Sequence, residues 1–270
     1  MLINGININI TLNGTTICYD DLGAGTIPVI FIHGFPFDKS MWQPQVNFLK
    51  SSHRVIAYDI RGFGKSTTGT EKAGISLFAD DLIGLMDALQ ISKAIVCGLS
   101  MGGYILLDAI IRYPGRFEAI ILSDSQCIAD SAETKEKRKS AIQQIEDEGL
   151  SKFAEGFVQN VFCKESLINR KDLVEKIKNV ILSTTPSVVT ATLRALAERD
   201  ERCSSLHEIS IPALILCGTE DSLTPLAQSE FMYSKIINST FKRIEKAAHL
   251  ANLEQADEFN GHMNKFISGL

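Results

Sequence analysis

The chain has 270 residues, 45% of them hydrophobic and 22% charged, with a formal net charge of −5. That suits one large α/β domain with a sizeable core and room for an inserted subdomain. The acidic balance and the lack of a basic block argue against a nucleic-acid partner, and no apolar run approaches the roughly 18 residues of a membrane span.

The stretch Met1 to Gly5 has no basic segment and no cleavage site, so no secretory leader is expected. The six cysteines include no C-x-x-C pair. Cys97 and Cys217 fall in apolar strand candidates, where free thiols pack as small hydrophobes. A reducing, cytoplasmic setting is the expectation. Oligomeric state is not legible.

Ile6, Ile8, Ile10 and Leu12 alternate with polar residues, which predicts a half-buried strand with these four on one face. Asn13-Gly14 is a hairpin turn, and Thr15 to Tyr19 returns. Val29–Ile32 is continuously apolar, as a strand buried on both faces is. It runs into His33-Gly34-Phe35-Pro36. A helix is predicted from about Met41 to Leu49 and a strand over Val55–Tyr58, ending in Asp59-Ile60-Arg61-Gly62. A helix over 77–89 carries Leu82, Leu85, Met86 and Leu89 at helical spacing. Next come a strand at 94–97, the turn around Ser100, a helix over 101–113 stopped by Pro114-Gly115, and a strand at 119–122. Strands alternating with helices mean a largely parallel, doubly wound sheet.

The pattern changes after Ser123. From Gln126 to Leu206 no strand run appears, only amphipathic helices. Leu150, Phe153, Phe157 and Val161 recur at three and four residues, as do Leu173, Ile177, Val180 and Ile181. The expectation is a helical cap, 126–206, inserted after the sixth strand into a core of 1–125 and 207–270. Phe153, Phe157, Phe162 and Leu173 read as packing residues by default. Lys135, Lys137, Arg138 and Lys139 read as a solvated helix face. The alternation then resumes with a strand at 213–217, a helix over 226–236, a strand at 241–244 and a final helix bearing Leu253, Ala256, Phe259, Met263 and Phe266. In all, eight strands are expected.

Gly98-Leu99-Ser100-Met101-Gly102 has the spacing G-x-S-x-G between a buried strand and a buried helix, the context that gives this short pattern weight. A serine at so tight a turn is held in a strained backbone, and Gly98 and Gly102 remove the bulk that would clash. Ser100 is the candidate nucleophile. In open parallel sheets, sites form beyond the carboxyl ends of the strands. The polar residues there are His33, Asp59, Ser100, Asp124, Asp221 and His249. His53 and His207 precede strands, and His262 lies in the last helix. His249, in the small-residue loop after the last strand, is the candidate base. His33 reads as orienting the Gly34-Phe35 loop, whose N–H groups are available to an oxyanion. Asp221, in Gly218-x-x-Asp221-x-x-x-Pro225, is favoured as the acid that orients the base, with Asp124 its competitor. Asp59 reads as bracing a turn.

Together these motifs resemble the α/β-hydrolase superfamily: His33-Gly34-Phe35-Pro36, Asp59-x-Arg61-Gly62-Phe63-Gly64-x-Ser66, Gly98-x-Ser100-x-Gly102-Gly103, Gly218-x-x-Asp221 and His249 stand in family order. The Met41-Trp42 and Asp124-Ser125 pairs are similar to its branch of small esterases, 3-oxoadipate enol-lactonases and cofactor-free haloperoxidases. The resemblance implies a Ser100–His249–Asp221 triad, an oxyanion hole from the N–H groups of Phe35 and Met101, and an ester or lactone of a small, fairly apolar molecule as substrate. It implies no cofactor and no metal. Dehalogenases and epoxide hydrolases of this fold have Asp as nucleophile, so Ser100 disfavours both. A perhydrolase or haloperoxidase-type activity, and a small-molecule receptor that keeps the triad, are the alternatives.

Overall fold

The computed structural model describes residues 3–270; Met1 and Leu2, part of the stretch read for a leader, lie outside them. Its centre is an eight-stranded sheet in the order β1-β2-β4-β3-β5-β6-β7-β8. Here β1 is Ile3–Leu12, β2 Thr15–Gly23, β3 Val29–Ile32, β4 Val55–Tyr58, β5 Ala94–Leu99, β6 Phe117–Ser123, β7 Ala213–Gly218 and β8 Ser239–Ile244. The first two strands form an antiparallel hairpin, and β2 joins β4 antiparallel. The strands from β4 to β8 run parallel. Asn13 and Gly14 both have positive φ, 46° and 70°, as a two-residue hairpin turn matched to strand twist requires. Every residue of β3, β4, β5 and β7 is buried, because helices cover both faces of the parallel part.

Those helices are α1 (Gln43–Leu49), α2 (Ile75–Ala88), α3 (Met101–Arg112), α9 (Leu226–Lys235), α10 (Ala251–Glu254) and α11 (Ala256–Ile267). Between β6 and β7 the chain makes five more: α4 (Ala132–Glu148), α5 (Leu150–Val161), α6 (Lys164–Asn169), α7 (Lys171–Ser183) and α8 (Pro186–Glu198). No strand occurs in this insertion. Among the described residues, no single helix is long and apolar enough to cross a membrane.

Four local expectations change. Ile6 is 63% exposed, not aligned with Ile8, Ile10 and Leu12. The register of β1 shifts between Gly5 and Ile8, and the shift turns Ile6 outward. The predicted helix at 41–49 opens instead with a 3-10 turn, Lys39–Trp42, before α1. The final helix breaks at Gln255, which has φ −130° and ψ 58°. There the carbonyls of Leu253 and Glu254 accept from Arg170 Nη1 at 2.8 and 2.9 Å, so the chain turns before α11. Finally, two cysteines are not free. Cys127 and Cys203 form a disulfide across a sequence separation of 76, and the Arg202 N–H donates to the Cys127 carbonyl at 2.8 Å. The two connections that leave and re-enter the sheet are thus tied together at the base of the insertion. Cys18, Cys97, Cys163 and Cys217 are free and buried.

Candidate active site

Ser100 sits between the end of β5 and the start of α3 with φ 53° and ψ −114°. A serine held there is strained by about 1–3 kcal/mol. Two glycines make the turn possible. A methyl group on Gly98 would overlap the Gly102 carbonyl, and one on Gly102 would overlap the Ile32 carbonyl. The hydroxyl is partly exposed, unlike the strand below it. It faces a cavity of about 440 Å³ whose walls also include Phe35, Met101, Thr224 and His249.

At this cavity the backbone N–H groups of Met101 and Phe35 have no acceptor among the described residues. Both are aimed by the carbonyl in the same peptide, since C=O and N–H of a trans peptide point in opposite directions. The Ser100 carbonyl accepts from Gly103 N, Tyr104 N and Ser125 Oγ at 2.9, 3.1 and 3.0 Å. That turns the Met101 N–H outward at the positive end of α3. The Gly34 carbonyl accepts from Phe37 N at 3.0 Å and faces His33 Nδ1 at 2.9 Å. His33 Nε2 meanwhile accepts from Ile60 N at 2.9 Å. An acceptor at Nε2 leaves the proton on Nδ1, so His33 is a neutral brace. Burial also pushes its pKa down, partly opposed by the bond to Gly34. His33 and Gly34 thus hold the peptide whose N–H belongs to Phe35.

His249 follows β8 and is 2% exposed. Its Nδ1 lies 2.9 Å from Asp221 Oδ2. Asp221 is fixed in turn: Oδ1 accepts from Leu223 N and Thr224 N at 2.8 and 3.1 Å, and Oδ2 from Thr224 Oγ1 at 2.6 Å. Burial pushes the Asp221 carboxyl up, but the charge and hydrogen bond of His249 and the bonds from Thr224 bring it below the usual range. Burial pulls the His249 imidazole down, and the Asp221 charge and hydrogen bond, with Asp124 and Glu254, lift it above its ordinary value.

The competitor, Asp124, bonds elsewhere. Its Oδ1 accepts from Gly218 N at 2.8 Å, and its Oδ2 lies 2.7 Å from Ser123 Oγ. Burial first, and the nearby Asp221 charge second, hold this carboxyl well above the usual range. Asp124, Asp221 and Cys217 bring ligand-type atoms within 4.8 Å of one another. Every carboxylate oxygen in that group already has a hydrogen-bond partner. Asp59 braces its turn as expected, accepting from Lys39 N at 2.8 Å and Lys65 N at 3.0 Å.

The remaining wall comes from the insertion. Phe153 and Phe157 of α5 line the cavity with Leu193 and Leu196 of α8. Both rings also stack edge-on against Phe35, so they are cavity residues as well as packing residues. Phe162 and Leu173 are not in the wall. Arg138 is also in the wall, not on a solvated face. It pairs with the buried Asp130, which Arg199 Nη1 also reaches at 2.5 Å. Arg199 lies over the Tyr104 ring, 4.4 Å from its centre. The arginine–aspartate cluster escaped the sequence reading, because its three members are spread over 69 positions and carry no common spacing. Thr224 left a faint signal: Asp221-x-x-Thr224 is the spacing of a side-chain-capped turn.

Residues 27–256 match the α/β-hydrolase fold family, and the chain belongs to it. Its relatives act on several kinds of substrate. The chain is 31% identical over 252 residues to 3-oxoadipate enol-lactonase 2 of Acinetobacter baylyi, covering 93% of this chain and 92% of the relative. It superposes on a thermophilic esterase from Thermogutta terrifontis with a TM-score of 0.91 and 33% identity, covering 100% and 98% of the two chains. A bromoperoxidase from Bacillus anthracis follows with a TM-score of 0.85 and 26% identity, covering 94% and 96%. The chain is thus a hydrolase-family protein with esterase-, lactonase- and haloperoxidase-like kin.

Proposed function

We propose that the protein is a serine hydrolase that cleaves an ester or lactone of a small molecule through an acyl-enzyme on Ser100. The observation that carries the reading is the convergence at one cavity of a strained serine, two acceptor-free N–H groups and a histidine bonded to a buried carboxylate. In this reading His249 takes the proton of Ser100 as Oγ attacks the carbonyl carbon. Asp221 holds the Nδ1–H tautomer and stabilises the imidazolium. The Phe35 and Met101 N–H groups bind the oxyanion, a contribution of about 3–4 kcal/mol for each donor in comparable sites. His249 then returns its proton to the leaving oxygen and activates water against the acyl-enzyme. The insertion, 126–206, serves as a cap over the core of 1–125 and 207–270. Its apolar wall suits a short acyl chain, while Arg138 supplies a cation for a substrate with a polar or anionic end.

The test is turnover of p-nitrophenyl esters from acetate to octanoate and of lactones with and without a carboxylate. Wild type is expected to favour short chains, and Ser100→Ala to lose about 10³-fold or more in kcat. Unchanged turnover in Ser100→Ala removes the nucleophile assignment. Tight ligand binding with negligible wild-type turnover favours the receptor alternative. Peroxide-dependent bromination in acetate favours the perhydrolase alternative.

A further inference from the structure

The loop that carries His249 is not held by the core alone. Glu254, the last residue of α10, is 5% exposed, and each of its carboxylate oxygens accepts one backbone N–H. Oε1 takes the N–H of Ala248, the residue before His249, at 2.7 Å. Oε2 takes the N–H of Cys163 at 2.9 Å, two residues beyond the end of α5. On the other side of His249, the Leu250 N–H donates to the Val161 carbonyl, the last residue of α5, at 3.2 Å. So both neighbours of His249 are anchored to one point, the C-terminal end of the helix that presents Phe153 and Phe157 to the cavity. Arg170, also in the insertion, bonds the backbone carbonyls of Leu253 and Glu254 and reinforces the joint.

A carboxylate is the one side chain of this length that accepts at both ends. A glutamine there presents an N–H to one of the two N–H donors. A buried donor left unpaired in this way loses its hydrogen bond without regaining water.

We propose that Glu254 is a positioning residue for His249: its carboxylate clamps the base loop to the end of α5, so that the seating of the insertion sets the imidazole against Ser100. The inference rests on His249 being the base. It also makes the insertion part of the catalytic geometry, because a substrate that displaces α5 displaces the imidazole through the same two N–H bonds.

The clamp has two separable halves. Cys163 has φ −69° and ψ 159°, a conformation proline adopts without strain. Cys163→Pro deletes the N–H, and with it the Sγ cap on Ser166 N, and leaves the carboxylate in place; Cys163→Ser keeps the N–H and controls for the thiol, and Cys163→Ala keeps the N–H and controls for the cap. Glu254→Gln removes the charge and one acceptor. The titratable groups facing His249 are Asp221, Asp124 and Glu254, of which Asp124 is the one held toward its neutral form.

The experiment measures kcat, KM and the pH profile of kcat/KM on a p-nitrophenyl ester for these variants, the Glu254→Gln/Cys163→Pro double variant and His249→Ala. Glu254→Gln is expected to lower kcat about 10–100-fold with KM within about threefold, as sub-ångström misplacement of a base does. It also moves the acid limb to lower pH, because an anion near the imidazole is gone. Cys163→Pro is expected to lower kcat well below Cys163→Ser and Cys163→Ala without moving that limb. The double variant loses less than the product of the singles, as coupled groups do. Equal kcat for Cys163→Pro and either control overturns the clamp, and serves if Glu254→Gln fails to fold. Wild-type kcat and pH limb in Glu254→Gln, with His249→Ala inactive, overturns the clamp alone. Turnover retained by His249→Ala overturns the base assignment and the clamp with it.

Discussion

Asp221 and Asp124 are two buried carboxylates beside one histidine, and their surroundings push them apart. Asp221 has an imidazole and three donors from the Leu223-Thr224 turn. Asp124 has one N–H, one hydroxyl and a neighbouring negative charge. Like charges this close do not both ionise readily, so the partner with more hydrogen-bond donors and the imidazole beside it takes the charge. The charged Asp221 then lifts His249, which must be neutral to act as a base. Activity is therefore expected to rise with pH through a limb above the ordinary imidazole value of about 6.5. Asp221→Asn removes the anion that lifts it, so the limb moves to lower pH, and kcat drops about 10³–10⁴-fold. Asp124→Asn is expected to cost less than about tenfold, because no bond to the imidazole is lost. Steady-state kinetics of the two variants across pH checks both statements. A larger loss at position 124 reverses the assignment.

At the scale of elements, the insertion is fastened to the sheet at two places. One is the joint between α5 and the His249 loop. The other is the Cys127–Cys203 disulfide, which closes the connections on either side of the insertion. Cys127 is buried, while Cys203 is partly exposed and open to a dithiol reductant. Closing a loop of this length stabilises a fold by about 2–4 kcal/mol. Reduction, or Cys203→Ser, is expected to lower Tm by roughly 5–15 °C, read by calorimetry with and without reductant. An unchanged Tm on complete reduction, verified by thiol counting, contradicts a stabilising role. None of this was legible in the sequence. No Cys spacing distinguishes residues 127 and 203 from the other four, and only the folded path of the five helices brings them together.

For the molecule as a whole, the inner strands were readable because a parallel sheet buries both faces and needs unbroken apolar segments, and the β1–β2 hairpin was readable from its alternation and its Asn13-Gly14 turn. The serine turn, the His33 brace and the Asp59 turn were readable because each hangs from a strand end. What could not be read depends on side chains that meet from distant elements: Glu254 with Cys163, Asp130 with Arg138 and Arg199, and Asp124 with Gly218. Two edges of the pattern also misled. A register shift in β1 turned Ile6 outward, and Arg170 capped α10 and divided the final helix.

The central claim is that Ser100 is the residue that bonds covalently to substrate. The direct measurement is peptide mapping by mass spectrometry after inactivation with a fluorophosphonate. One adduct per chain on the peptide containing Ser100, rising in step with loss of esterase activity and absent from Ser100→Ala, is the predicted result. Full inactivation with Ser100 unmodified, or with the adduct on another residue, contradicts it.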